Sequence, residues 1–333
     1  MITLRPHQRD IVDRMLAYDK GQIIVPTGGG KTICMIQDVV ENCKYIDNGM
    51  TTVVVAPRIL LAEQLCSEFL ELIDTTHTHV MHVHSGETHH FSTTKSEKIA
   101  LFADVARTAG ENVIIFTTYH SLHRIQEADI EVNNIYFDEA HNSVQRNFFP
   151  ATEFFSNESD RCYFFTATPI HSVSIFKPGM NDTAVYGNVI CNVPAPQLVE
   201  EGYILPPKVV VQQLPQGDFK QSDEQNLLDT IDANSLNKIL VAARSTKQIV
   251  RLISETDFTE KLEERGYNWM YITSKTGAII NGQKVSREQF FKTLNQWGTD
   301  DTRFIVMHHS ILSEGINVKG LEAVLFMRNM DYI

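Results

Sequence analysis

Three glycines in a row, Gly28-Gly29-Gly30, stand between a β-prone run, Gln22–Val25, and a helix-prone one, Thr32–Asn42, with Pro26-Thr27 before them and Lys31-Thr32 after. Such a turn can wrap tightly. Glycine takes φ > 0 without a side-chain clash and lets several backbone N–H groups approach one anion. A helix that starts directly after the turn adds the positive end of its dipole. Strand, turn and helix in this order fit an α/β sheet with the turn at the C-terminal edge, and the chemistry that uses all of these parts is the cradling of a polyphosphate. Lys31 would then reach the outer phosphates and the Thr32 hydroxyl a divalent cation. The strict pattern has glycine or alanine where Val25 stands, which is a mild departure.

The rest of the chain keeps the same alternation. Short β-branched or aromatic runs at Thr52–Ala56, Val113–Thr117, Ile135–Phe137 and Cys162–Thr166 are spaced by crossover lengths, with helical stretches such as Leu60–Ile73 between them. Runs that are apolar throughout belong to a parallel sheet covered on both faces. A length of 333 residues exceeds one comfortable core, so two lobes are expected. Prolines at 194, 196, 206 and 207 place a linker over 191–207, dividing a first lobe, 1–190, from a second, 208–333. Beyond it Ile239–Ala243, Trp269–Thr273, Phe304–His308 and Ala323–Met327 read as strands, with helices at Ser245–Glu255 and Ser286–Trp297. Only six residues follow the last strand, so the second sheet is expected to be unfinished.

A second chemical signal lies at the end of the Ile135–Phe137 strand, where Asp138-Glu139-Ala140-His141 sets two adjacent carboxylates at the edge where open α/β sheets bind ligands. Asp138 can hold Mg²⁺ through water, and Glu139 can orient and deprotonate an attacking water. A phosphate loop upstream makes this reading far stronger than that of an acidic surface turn.

Other classes are disfavoured. The five cysteines are odd in number and form no CxxC pair, against both a disulfide framework and a zinc ribbon. No stretch approaches the roughly 18 apolar residues of a membrane span, and the first twenty residues lack a signal peptide's apolar run, so a cytoplasmic protein with no membrane partner is expected. A net charge of −12 confines any polyanion to a local groove. His77, His79, His82, His84, His89 and His90 crowd one region, but Thr76–Val83 reads as an alternating strand with some imidazoles facing solvent, rather than as a metal site.

In this order the motifs resemble the DEAD/DEAH-type superfamily 2 helicases, in particular the branch of type III restriction-enzyme translocase subunits and phage DNA helicases. The resemblance covers nearly the whole chain and implies two RecA-like doubly wound parallel-sheet domains, ATP and Mg²⁺ as cofactors, and a nucleic-acid partner. DNA is preferred over RNA because the nearest branch acts on it. Leu4-Arg5-Pro6-His7-Gln8 resembles an adenine-reading segment and makes Gln8 a base contact beside Thr27, Gly28, Gly29, Gly30, Lys31 and Thr32. Pro57-Arg58, His84-Ser85-Gly86 and Thr117-Thr118-Tyr119 resemble segments along a bound strand, which gives Pro57, Arg58, Gly86, Thr117 and Thr118 as nucleic-acid contacts. Thr166-Ala167-Thr168-Pro169 resembles a coupling motif in which Thr166 and Thr168 act with His141. In the second lobe Ile239–Ser245 offers Arg244 to the strand, and Ser313–Val318 offers Gly315 and Asn317 to the nucleotide, although the family usually has aspartate where Asn317 stands. The family continues to an arginine-bearing motif that would follow Ile333. The resemblance therefore implies a truncated chain with weak turnover, acting as a monomer, with a possible nuclease or replication and recombination partner, in a host cytoplasm if viral.

Overall fold

The β-prone runs pair edge to edge and in parallel. The structure, a computed structural model, describes residues 3–42, 49–86, 88–174, 176–206, 222–273, 276–309 and 320–327. The chain divides into two compact units, Met1–Lys208 and Val209–Ile333. In the first, β1 (Lys20–Ile24), β2 (Thr51–Ala56), β3 (Thr78–Val83), β4 (Phe91–Ser92), β5 (Asn112–Thr118), β6 (Asn134–Phe137), β7 (Arg161–Thr166) and β8 (Val189–Asn192) form one parallel sheet in the order β4-β3-β5-β2-β6-β7-β1-β8. Its helices are α1 (Pro6–Ala17), α2 (Lys31–Asn42), α3 (Ile59–Leu72), α4 (Ser96–Thr108), α5 (Leu122–Glu127), α6 (Phe149–Glu158), α7 (Thr183–Tyr186) and α8 (Ala195–Glu200).

The two-residue period of a strand sends alternate side chains to opposite faces. Val54, Phe116, Tyr136 and Phe165 join a core with Ile11, Met35 and Phe69 of α1, α2 and α3. Their neighbours Val53, Val55, Ile115, Phe137 and Phe164 join the opposite core with Ile99, Ile125 and Phe155 of α4, α5 and α6. Every residue of β2 is therefore buried, which accounts for a strand apolar nearly throughout.

The expected linker over 191–207 contains regular structure among its described residues. Cys191 and Asn192 pair with Ile23 and Ile24 as part of β8, and Pro194 caps α8 with Pro196 in its first turn, a position where a missing N–H costs nothing. Leu198 is fully buried, and Ile190, Cys191 and Val193 join the first unit's core. The prolines begin a helix that packs on the sheet rather than ending the domain.

In the second unit β9 (Lys238–Ala243), β10 (Asn268–Thr273), β11 (Gly277–Ile280), β12 (Gln283–Val285), β13 (Phe304–His308) and β14 (Ala323–Met327) take the order β12-β11-β10-β13-β9-β14. The helices are α9 (Asp223–Asn234), α10 (Thr246–Ser254), α11 (Phe258–Glu264) and α12 (Arg287–Thr299). Ser222, Ser245 and Ser286 each accept the N–H three residues on, so α9, α10 and α12 each start on a serine cap. The sheet is not purely parallel as expected: β10–β11 and β11–β12 run antiparallel. The cause is Asn281-Gly282, whose φ values of 43° and 79° make the tight hairpin between β11 and β12. Among the described residues no helix is long and apolar enough to cross a membrane.

Candidate active site

β1 ends between β7 and β8, and the glycine turn follows it. Gly28 and Gly30 hold φ of 83° and 86°, the left-handed region that a side chain opposes, and the Gly29 N–H closes the turn on the Pro26 carbonyl at 3.0 Å. The first turn of α2 carries no acidic residue of its own. The turn is gripped from two sides. His7 Nε2 and Gln8 Nε2 both donate to the Gly29 carbonyl, at 2.8 and 3.3 Å, and a Cβ on Gly30 would lie 2.1 Å from Gln8 Nε2. From the other side Leu198 and Ile204 lie against Gly29 and Gly28, so the segment first read as a linker supports the turn. Gln8 Oε1 also accepts the Arg5 N–H, at 2.9 Å, and Arg5 stacks over the Tyr203 ring. Thr27 and Gly28 remain exposed.

The acidic pair meets this loop. Lys31 Nζ lies 3.8 Å from Asp138 Oδ1 and is bonded directly to Glu139 Oε1. Asp138 is buried, and among the described residues its Oδ1 has no hydrogen-bond partner. Burial pushes its carboxyl up to about 6, with the Lys31 ammonium pulling the other way and the Glu139 charge adding to the rise. Glu139 leaves β6 with φ 47° and ψ 53°, an uncommon backbone for a residue with a side chain. That turn sends two consecutive carboxylates toward one lysine, whereas an extended strand would send them to opposite faces.

A hydrogen-bonded chain runs on from Glu139. Asn142 Nδ2 donates to His141 Nε2 at 3.3 Å, which makes Nδ1 the protonated nitrogen, and Nδ1 donates to Thr166 Oγ1 at 3.0 Å. Thr166 Oγ1 also accepts the Thr168 N–H at 3.1 Å, and His141 Nδ1 lies 3.5 Å from Glu139 Oε2. The residues expected to couple therefore touch one another and the candidate base.

Pro57 and Arg58 follow β2, with Arg58 at the N-cap of α3, where Gly86 packs so closely that a Cβ would lie 2.6 Å from Ile59. Thr117 Oγ1 donates to the Val83 carbonyl at 2.8 Å. The ends of β2, β3 and β5 thus gather Pro57, Arg58, Gly86, Thr117 and Thr118, but both threonine side chains are buried, with the Thr117 hydroxyl spent inside the sheet. Arg244 is exposed in the second unit, after β9. Gly315 and Asn317 lie outside the described residues. Sequence reading placed His7 and Tyr119 within the motifs Leu4–Gln8 and Thr117–Tyr119 but gave neither side chain a contact of its own. A histidine beside Gln8 and a tyrosine ending a strand carry no pattern of their own, and only coordinates bring them to the loop and to Asp138.

In the histidine-rich strand one set of imidazoles faces solvent and another is buried. His79 is exposed, but His82 and His84 are buried, His82 against Phe116, with His82 Nδ1 and His84 Nε2 2.9 Å apart. Burial lowers His82 to about 3, so the ring is neutral. Among the described residues no group of three or more histidine, cysteine or acidic side chains is arranged to hold a metal ion.

A glycine loop, its lysine and an acidic pair at the C-terminal edge of a parallel sheet fit a RecA-like fold of the helicase type. The chain belongs to the family described as type III restriction enzyme, res subunit, whose match spans residues 1–171. Solved structures agree on the fold. The chain is similar to the ATP-dependent Type ISP restriction-modification enzyme LlaBIII bound to DNA, at 19% identity and a TM-score of 0.72 over 98% of this chain and 26% of that one. A nuclease-deletion mutant of the Type ISP enzyme LlaGI, in complex with a DNA substrate mimic, matches at 23% identity and a TM-score of 0.52, over 61% of this chain and 21% of that one. The DEAD-box helicase Mss116, bound to ssRNA and UDP-BeF, matches at 15% identity and a TM-score of 0.60, over 98% and 64%. The chain spans about a quarter of the length of the first of these enzymes. No curated protein matches it.

Proposed function

We propose that this chain is an ATP-dependent motor that moves on or unwinds nucleic acid, hydrolysing ATP when a strand is bound. The observation that carries the reading is the meeting of the glycine loop with the acidic pair: Lys31 lies against both Asp138 and Glu139. Before nucleotide binds, the lysine sits against both carboxylates. The phosphates of ATP compete for it and free Glu139 to take the proton of a water attacking the γ-phosphorus, while the bond to the β–γ bridging oxygen breaks. The residues also fit Mg²⁺, because the buried Asp138 Oδ1 lacks a hydrogen-bond donor and the Thr32 hydroxyl opens α2 directly after the loop. The ion would be held by Thr32 and Asp138 and would neutralise phosphate charge. Gln8 and Thr27–Gly30 complete the nucleotide site, and Pro57, Arg58, Gly86 and Arg244 offer contacts to the strand.

The family name and the DNA carried by the Type ISP structure support DNA as the track. Nuclease chemistry would then belong to a partner or to a further domain. The test is phosphate release by the full chain with MgATP, alone and with single-stranded DNA or RNA. DNA should raise the rate about tenfold or more. Lys31→Ala should abolish binding of a fluorescent nucleotide, and Glu139→Gln should keep binding but slow turnover by roughly 10²-fold or more. Tight nucleotide binding with no stimulation by either strand would instead make the chain a nucleotide-dependent switch.

A further inference from the structure

Tyr119 directly follows β5, with its ring buried in the core that holds Phe137 and Phe148. Its backbone N–H donates to the Ala56 carbonyl, at 3.2 Å, at the end of β2. Its phenol donates to the backbone carbonyl of Asp138, at 2.8 Å. Because β2 lies between β5 and β6, this one side chain crosses the end of β2 and holds the peptide that follows β6. Burial keeps the phenol protonated, well above the ordinary tyrosine value, so it acts as a donor throughout the working pH range.

The carbonyl it holds belongs to the peptide that leads into Glu139, whose left-handed φ of 47° costs about 1–2 kcal/mol for a residue with a side chain and persists only where neighbours fix it. The same peptide run is pinned before and after, since Asp138 N–H donates to Val55 O and Asn142 N–H to Glu139 O, both at 2.9 Å. Tyr119 supplies the remaining restraint, at the carbonyl whose rotation sets the direction of the Glu139 side chain.

We infer that Tyr119 is a positioning residue: it holds the Asp138–Glu139 peptide in the orientation that turns the Glu139 carboxylate toward the glycine loop, where it stays aimed once nucleotide draws Lys31 away, and it does so from the strand ends that carry Pro57, Arg58, Thr117 and Thr118. The inference rests on the motor reading of the site.

The experiment compares Tyr119→Phe with the parent full chain, since phenylalanine keeps the buried ring and deletes only the hydroxyl. With MgATP and single-stranded DNA, kcat should fall about tenfold or more, while the Kd of a fluorescent nucleotide stays within about twofold, because the glycine loop is untouched. A double-mutant cycle with Glu139→Gln separates positioning from general stability. In that background Tyr119→Phe should change kcat by less than about twofold, since the base it aligns is gone. Unchanged kcat in Tyr119→Phe would overturn the inference, as would a full additional loss in the double mutant or the absence of a cooperative thermal transition in Tyr119→Phe. A parent chain that fails to hydrolyse ATP would instead sink the motor reading, before any variant is compared.

Discussion

At the scale of single residues, the site is built by placing charge where charge is costly. Asp138 is 5% exposed and accepts no hydrogen bond at Oδ1, so its ionised form is stabilised chiefly by Lys31. Its carboxyl stands at about 6 in the folded chain, against 3.8 for an ordinary aspartate. The raised value fixes the sign of the linkage. The group favours folding while protonated, fully so below about 3.8, and that contribution is lost as pH rises through about 6. A displacement of this size corresponds to about 3 kcal/mol at most, reduced in a variant because Lys31 loses one of its two partners. Asp138→Asn should therefore make the nucleotide-free protein more stable than the parent at pH 8, by about 1–3 kcal/mol. The difference should shrink between pH 6 and 4 as the parent's own carboxyl protonates. Thermal denaturation of both proteins across that range checks it, and a difference that grows on acidification would refute the assigned direction. Stability surrendered at neutral pH is the expected cost of holding an unsatisfied carboxylate ready for a cation.

At the scale of elements, the glycine turn is shaped by two separable effects, backbone angle and crowding. Gly30 and Gly202 have similar φ, 86° and 73°, but a Cβ on Gly30 would strike the Gln8 amide while one on Gly202 would meet nothing within 4 Å. Gly202→Ala should therefore cost only the backbone penalty, about 1 kcal/mol, and leave nucleotide affinity unchanged. Gly30→Ala should weaken nucleotide binding about tenfold or more, and adding Gln8→Ala should restore part of it by removing the colliding amide; titration with a fluorescent nucleotide measures both. These elements also show what the sequence could carry. The strands Gln22–Val25, Thr52–Ala56 and Ile135–Phe137 were legible because burial on both faces makes them apolar throughout, and Lys31, Asp138 and Glu139 were legible because their neighbours fix their chemistry. The two-residue β4 has no period to read. The first-unit role of 189–204 was hidden because proline marks both the end of regular structure and the start of a helix. The β11–β12 hairpin did leave a signal, Asn281-Gly282 between Gly277–Ile280 and Gln283–Val285, which alternation of strand and helix did not call for. The contacts of Tyr119 and His7 depend on which strands become neighbours, and that order is a property of the sheet rather than of any local segment.

At the scale of the whole molecule, the distribution of function follows the distribution of cores. The formal charge is −12, with 29 basic against 41 acidic residues, so net charge gives no general attraction to a polyanion, and under the proposed function strand binding would rest on a few contacts such as Arg58 and Arg244. Lys31, Asp138, Glu139 and the Gln8 grip on the loop all belong to the first unit, whose two cores are built from its own residues. Arg244 belongs to the second, which has cores of its own. A fragment of residues 1–206 should therefore unfold in one cooperative transition and should still bind nucleotide. With MgADP at a hundredfold excess over Kd, the linkage between binding and folding should add about 2.7 kcal/mol to its stability, visible as a raised thermal midpoint. The same fragment should lose most of the DNA-stimulated hydrolysis of the full chain, because contacts supplied by the second unit are gone. A fragment that folds but shows no MgADP shift would mean that residues beyond 206 are needed to bind nucleotide. A fragment with the full chain's stimulated rate would mean that the second unit contributes nothing to coupling, and the division of labour between strand-gripping and hydrolysis would have to be sought within the first sheet alone, across the ends of β2, β5 and β6.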